Sequence, residues 1–140
     1  HPNRDLKDGI YVSTGSLGQG LPIAVGMAIS DKNKNVYCVI SDGECSEGSI
    51  WEAVRIASEQ KLKNLKIVIN ANGYGAYDEI NIKLLPLRFK SFGCRVIEIN
   101  GHKQEKLRKT LKIKSRVKPI VILAKTRVEH LSFLQGQDAH

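Results

Sequence analysis

Four short runs of this 140-residue chain are apolar nearly throughout: VYCVIS (36–41), LKIVIN (65–70), CRVIEI (94–99) and PIVILAKT (119–126). A strand that is apolar at successive residues, rather than at every second one, has to be buried on both faces. The segments between these runs repeat with helical spacing instead. In 49–62, SIWEAVRIASEQKL, Ile50, Ala53, Val54 and Ala57 fall on one helical face. In 84–93, LLPLRFKSFG, Leu85, Phe89 and Phe92 share a side, and Gly93 reads as the stop. In 104–113, QEKLRKTLKI, Leu107 and Leu111 make a narrow apolar stripe. The segment 21–30, LPIAVGMAIS, is apolar nearly all round and reads as a buried helix with Pro22 in its first turn. Strands alternating with helices predict an α/β fold: a doubly wound parallel sheet with helices on both faces.

The remaining composition narrows the setting. At this length the chain can bury one real core, and no linker, repeat or low-complexity segment divides it. No apolar run approaches a membrane span, and no signal-peptide pattern is present, so no membrane association is expected. The three cysteines, Cys38, Cys45 and Cys94, form no paired spacing, which points to a reducing, cytoplasmic setting. The chain starts at His1 without a methionine and reads as a fragment or a processed chain. Its net charge is +8, and much of it sits in 104–119, QEKLRKTLKIKSRVKP. That run has no aromatic residue on which a base would stack. The expectation is a solvated helix face, without nucleic acid as partner. Such a face can still attract phosphorylated substrates or acidic partners.

In folds of this class, ligands sit beyond the carboxyl ends of the strands. After the first strand comes Asp42-Gly43, and after the second comes NANGYGAYDE (70–79). Asp42 offers a carboxylate, and Asn72, thirty residues later, a side-chain carbonyl. If the two strands are neighbours, both oxygens can face one point. Magnesium takes six hard oxygens and commonly only one or two carboxylates, with phosphate and water completing the set. Asp42, Asn72 and a backbone carbonyl just past Asn72 would suit Mg²⁺ on a diphosphate. The N–H of Gly43 would meet a phosphate oxygen. Equally, Asp42 can be a turn cap and Asn72-Gly73 a plain loop. GSLGQG (15–20) is a second glycine cluster, and no strand clearly precedes it. It is a poor dinucleotide motif and reads either as a cap for the following helix or as a wall beside a flat ring.

Taken together, SDGECSEGSIWEAVRIASEQKLKNLKIVINAN (41–72) resembles the thiamine-diphosphate signature of GDG, about thirty residues, and asparagine. STGSLGQGLPIAVGMA (13–28), EGSIWEA (47–53), LPLRFKSFGCRVIEINGH (85–102) and VILAKT (121–126) extend that resemblance to the transketolases, in particular to separate N-terminal transketolase subunits. The similarity covers nearly the whole chain. It implies one diphosphate-binding domain over 1–140, N-terminally incomplete.

The resemblance also implies roles. Asp42 and Asn72 would bind Mg²⁺, or Ca²⁺ in its place, by side chain, and Tyr74 by its backbone carbonyl. Gly43 would donate to the diphosphate, and Gly15 and Leu17 would line the thiamine pocket. His140 matches a late histidine near the diphosphate. His1 matches a histidine beside the donor sugar's hydroxyls, and Glu47 an interface glutamate that relays protons between two cofactors. His102, after Asn100-Gly101, reads as turn surface, and His130 matches no role. The chain departs from the family at Ser41, where a glycine is usual, in a shorter loop after Asn72, and in RVEHLSF (127–133), which has no glycine where a glycine-rich turn usually follows VILAKT.

The implied activity is transfer of a two-carbon ketol unit from a ketose to an aldose, on sugar phosphates. The family's pyrimidine-binding domain has no counterpart here, so a C-terminal partner subunit is expected, in a dimer or an α2β2 assembly. The alternatives are an α-type subunit of a 2-oxo acid dehydrogenase and a non-catalytic member of the family.

Overall fold

The computed structural model describes residues 1–75 and 80–127. The four runs become β1 (Val36–Ser41), β2 (Leu65–Ala71), β3 (Arg95–Asn100) and β4 (Ile120–Lys125). They form one sheet in the order β1-β2-β4-β3, and every pairing is parallel. The helices are α1 (Gly20–Ser30), α2 (Gly48–Glu59), α3 (Leu85–Ser91) and α4 (Gln104–Leu111).

Burial follows strand position. The central strands β2 and β4 are buried on both faces over most of their length. Helices α1, α2 and α3 cover one face, packing Leu21, Ile50, Val54 and Phe89 against Cys38, Ile67, Ile69 and Leu123. On the other face, Leu107 and Leu111 of α4 pack against a smaller cluster of Val68, Ile99, Ile120 and Ile122. The charged side of α4 is exposed, as its stripe of two leucines predicts.

The edge strand β1 departs from the expectation. Its residues alternate between buried and exposed, with Tyr37 51% and Val39 72% exposed. The reason is geometric: α4 lies over β3 and β4, so the second face of the sheet is uncovered at β1 among the described residues. Helix α1 likewise buries one face only, through Leu21, Ala24, Val25 and Ala28, while Ile23 and Ile29 are exposed. Lys66 lies in central β2 and is 3% exposed, with its ammonium 4.9 Å from the centre of the Tyr37 ring. Its charge lies over the aromatic face.

Helix ends show what periodicity cannot. Helix α3 stops as predicted: Gly93, with φ 89°, donates to Lys90 O at 2.9 Å, and Cys94 donates to Phe89 O at 3.1 Å. This is a Schellman closure. The helical spacing predicts α2 as far as Leu62, but the helix ends at Glu59. The same closure forms there around Lys61, with φ 53°, through Lys61 N–H to Ser58 O and Leu62 N–H to Ala57 O. A lysine at that position costs about 1–2 kcal/mol in left-handed backbone, and it carries no signal in the sequence.

Asn64 ties α1 to the sheet. It is 5% exposed, and its side-chain amide donates to the carbonyls of Ala28, Asp31 and Lys34 at 3.0–3.1 Å. These carbonyls belong to the end of α1 and the turn into β1. Asn64→Ala is expected to lower the free energy of unfolding by about 1–3 kcal/mol, because the buried Ala28 carbonyl and two partly buried carbonyls lose their donor. Urea unfolding checks this, and an unchanged midpoint would contradict it.

Candidate functional site

The parallel pairing of β1 with β2 sets Ser41 opposite Asn70. The residues that follow each strand therefore emerge side by side. Asp42 is fully buried, and each of its carboxylate oxygens accepts a backbone N–H: Oδ1 from Gly43 at 3.1 Å, and Oδ2 from Gly73 at 2.7 Å. The second bond reaches the residue directly after Asn72. The strand-neighbour condition is thus met, and Asp42 stands against the Asn72 turn. Asn72 Oδ1 accepts the N–H of Tyr74 at 2.9 Å, closing an Asx turn. The Tyr74 carbonyl lies close to Gly43. A Cβ on Gly43 would sit 3.6 Å from that oxygen and 3.2 Å from Gly75 Cα. A side chain on Gly43 would push the Gly75 backbone back by a few tenths of an ångström, so glycine lets the two turns sit at this spacing without adjustment.

Burial pushes the Asp42 carboxyl above its ordinary value, and the N–H bonds from Gly73 and Gly43 partly offset this. No cation pairs with it among the described residues. A buried carboxylate of this kind fits a divalent cation, which would compensate its charge. Among the described residues no cluster of three or more His, Cys, Asp or Glu side chains is available to hold a metal. A single carboxylate, an amide oxygen and a carbonyl suit an ion such as Mg²⁺ that takes its other oxygens from a phosphate ligand and water.

Gly43 opens a short 3-10 turn, Gly43–Ser46, and α2 starts after it at Gly48. Glu47 is the residue before α2 and is half-buried; its side chain makes no capping bond to the helix. Trp51 Nε1 donates to Cys45 O at 2.9 Å, which locks the turn onto α2. The cysteines do not extend the chemistry. Burial pushes the thiols of Cys38, Cys45 and Cys94 up to about 12, and for Cys45 the charges of Asp42 and Glu44 add to it. Such thiols stay protonated at neutral pH and make poor nucleophiles.

The second group of predicted residues lies across the β1 edge. His1, Gly15 and Leu17 line an open cleft of about 680 Å³ that runs between the N-terminal segment, α1 and β1. The His1 ring lies against Gly15: a Cβ there would stand 2.6 Å from His1 Nδ1. Leu17 is 46% exposed, so it is not core. No strand precedes the glycine cluster, in line with its sequence. Asp42, Gly43, Glu47, Asn72 and Tyr74 do not line this cleft, whereas Glu44 does. His130 and His140 lie outside the described residues. His102 follows β3 in a turn, and its Nε2 accepts the N–H of Arg127 at 2.9 Å.

The pairing of Ser41 with Glu44 escapes a reading that looks for metal and phosphate ligands. Ser41 Oγ accepts the Glu44 N–H at 3.1 Å, and Glu44 Oε2 accepts the Ser41 N–H at 3.0 Å. This reciprocal pair is a capping box, and SDGE has its S-x-x-E spacing. Ser41 is therefore more than the absence of a glycine: its hydroxyl helps to close the turn that carries Asp42 and Gly43.

The chain matches the family described as transketolase, thiamine diphosphate binding domain, over residues 1–140. It is 40% identical to the human transketolase over 124 residues, covering 82% of this chain and 20% of that protein. It is also similar to one of the named subunits of the apulose-4-phosphate transketolase of Actinobacillus succinogenes. There the identity is 35% over 148 aligned positions, covering 98% of this chain and 53% of that protein. Among solved structures, the transketolase of Campylobacter jejuni superposes with a TM-score of 0.72 at 32% identity, over 86% of this chain and 22% of that one. The chain thus spans about a fifth of the animal transketolases and about half of the apulose-4-phosphate transketolase subunits it matches.

Proposed function

From the chain's membership of the transketolase thiamine-diphosphate-binding family, to which it belongs along its whole length, we propose that it holds the Mg²⁺-diphosphate end of thiamine diphosphate for two-carbon ketol transfer from a ketose to an aldose. The observation that carries this reading is the bond from Gly73 N–H to the buried Asp42 carboxylate, at 2.7 Å. It joins the two strand ends whose oxygens and N–H groups suit a metal diphosphate. In this reading Asp42 and Asn72 hold the metal with the Tyr74 carbonyl, and Gly43 donates its N–H to the diphosphate. Gly15 and Leu17 face the thiamine rings from the cleft wall. His1, which lines the same cleft, orients donor-sugar hydroxyls. Glu47 lies at an interface between subunits and passes protons across it, and His140 supports the diphosphate. When bound, the cofactor supplies carbanion-stabilising chemistry, and the chain's own residues anchor, orient and exclude water.

The reading includes a partner chain with the pyrimidine-binding domain, in a dimer or an α2β2 assembly, acting on sugar phosphates. Relatives in Actinobacillus succinogenes and Phocaeicola vulgatus are named as subunits rather than as whole enzymes, which supports it. The domain is the diphosphate-binding one, over 1–140. Three buried free thiols are consistent with a cytoplasmic setting. Among the described residues no helix is long and apolar enough to cross a membrane.

Calorimetry with thiamine diphosphate, with and without Mg²⁺, tests the site. Binding is expected to require the metal, and equal affinity in a chelator would remove the metal-diphosphate reading. Assays on ketose and aldose phosphates test the reaction. Ketol transfer is expected only when a pyrimidine-domain chain is added. Turnover by this chain alone would overturn the two-chain arrangement, and turnover of 2-oxo acids instead would replace the ketol-transfer reading.

A further inference from the structure

Glu44 has no part in the ligand set proposed above, yet its carboxylate joins the two groups of site residues. Oε2 accepts the Ser41 N–H at the mouth of β1, at 3.0 Å. Oε1 accepts the N–H of Gly18, 26 residues earlier in the glycine-rich loop, at 3.2 Å. The other side of Gly18 is held as well: its carbonyl accepts Ser49 Oγ–H from the first turn of α2, at 2.8 Å. Gly18 is buried, with φ 76°, and a Cβ there would lie 2.8 Å from Glu47 Cβ. The loop is therefore pressed onto the Glu47–Ser49 segment at the one residue whose conformation and size allow it. Among the described residues, the other hydrogen bonds of residues 14–19 stay within the loop, enter α1 or reach Pro2.

We propose that Glu44 is a positioning residue that clamps the glycine-rich loop to the turn carrying Asp42 and Gly43, so that both ends of the cofactor meet surfaces already set at the right separation. The inference rests on the function proposed above, in which the loop faces the thiamine rings and the turn faces the diphosphate. The chemistry of the clamp specifies a carboxylate. Both partners, Gly18 and Ser41, are N–H donors, and an ionised carboxylate accepts through both oxygens. A glutamine of the same size would turn an NH₂ group towards one of them. Holding the loop before binding removes an ordering cost that would otherwise oppose association.

Two measurements on Glu44→Gln and Ser49→Ala test the clamp. The first is native-state amide hydrogen exchange of the ligand-free chain. The Gly18 amide is expected to exchange about tenfold faster in Glu44→Gln, on the scale of one charge-assisted bond lost. Ser49→Ala should move the same loop, whereas Ser41→Ala should leave it nearly unchanged, because the Ser41 N–H bond to Glu44 survives. Amides of β2 and α2 should not move in any variant. Unaltered Gly18 exchange in both Glu44→Gln and Ser49→Ala would overturn the clamp, whether or not the cofactor binds.

The second measurement compares Mg²⁺-pyrophosphate, which touches the turn only, with Mg²⁺-thiamine diphosphate, which spans turn and loop. Glu44→Gln is expected to lose about tenfold in affinity for the cofactor while keeping pyrophosphate affinity within about twofold. Equal losses on both ligands would mean that Glu44 merely supports the turn, and would overturn the positioning role. If the unaltered chain binds neither ligand, the functional reading fails while hydrogen exchange still decides the clamp.

Discussion

Asp42→Ala is expected to abolish the Mg²⁺ dependence of thiamine diphosphate binding and to weaken that binding by at least about 100-fold, the scale of a charged group lost from a buried site. The residue is fully buried, and its oxygens already organise Gly43 and Gly73. The alanine therefore removes the carboxylate proposed to hold the metal and unlocks the contact between the Gly43 and Gly73 turns. Titration calorimetry reads the loss. Metal-dependent affinity equal to that of the unaltered chain would remove Asp42 from the site.

The same carboxylate predicts a pH signature with a defined sign. Burial raises its pKa above the ordinary 3.8, so the folded chain holds the proton to higher pH than the unfolded one. Over the interval from 3.8 up to that raised value, the unfolded state binds fewer protons, and the contribution of Asp42 to stability falls as pH rises. A divalent cation favours the charged form and opposes that fall. Mg²⁺ with thiamine diphosphate is accordingly expected to raise Tm at neutral pH and to lose its effect below that interval. Calorimetric scans at both pH values check it, and a metal effect undiminished at the lower pH would contradict the assignment.

Phe89→Ala should have the largest effect on stability, about 3–5 kcal/mol, as for other large aromatic-to-alanine changes in a core. Phe89 is fully buried in the larger cluster, and its ring centre is 5.0 Å from that of Trp51. Trp51 in turn packs against Phe92 at 5.4 Å and hydrogen-bonds the carbonyl of Cys45. Truncation of Phe89 thus empties the contact between α2 and α3 and loosens the turn beside Asp42. Urea unfolding followed by Trp51 fluorescence, which reports the only tryptophan in the chain, checks the magnitude. A loss below about 1 kcal/mol would show that the site collapses around the missing ring.

Much of the fold can be read from periodicity because periodicity reports burial. The run 36–41 coincides with β1, and the face Ile50, Ala53, Val54 and Ala57 is the buried face of α2. Gly93 marks the end of α3 because a glycine is the usual residue for left-handed backbone. The end of α2 could not be read, since Lys61 adopts the same backbone against its preference. The exposure of Tyr37 and Val39 was hidden for a different reason. An apolar run states that a strand tolerates burial on two faces, and only the position of α4 decides whether both faces are covered.

The candidate site divides along the same line. Residue type and spacing raised Asp42, Gly43 and Asn72 as candidates and left a turn cap and a plain loop equally open; the resemblance of the surrounding motifs to the transketolases is what favoured a metal and a phosphate. The sequence also contained the S-x-x-E pattern of Ser41 and Glu44, a local device whose bonds span three residues. Glu44's bond to Gly18 was not legible: its partner lies 26 residues away, beyond any periodic or local rule. Nor was the approach of Gly73 to Asp42, which depends on β1 and β2 being neighbours in register. Local chemistry is written in order along the chain. The meeting of distant groups is set by which strands pair and which loops fold back over them, and that is decided by packing the whole sheet.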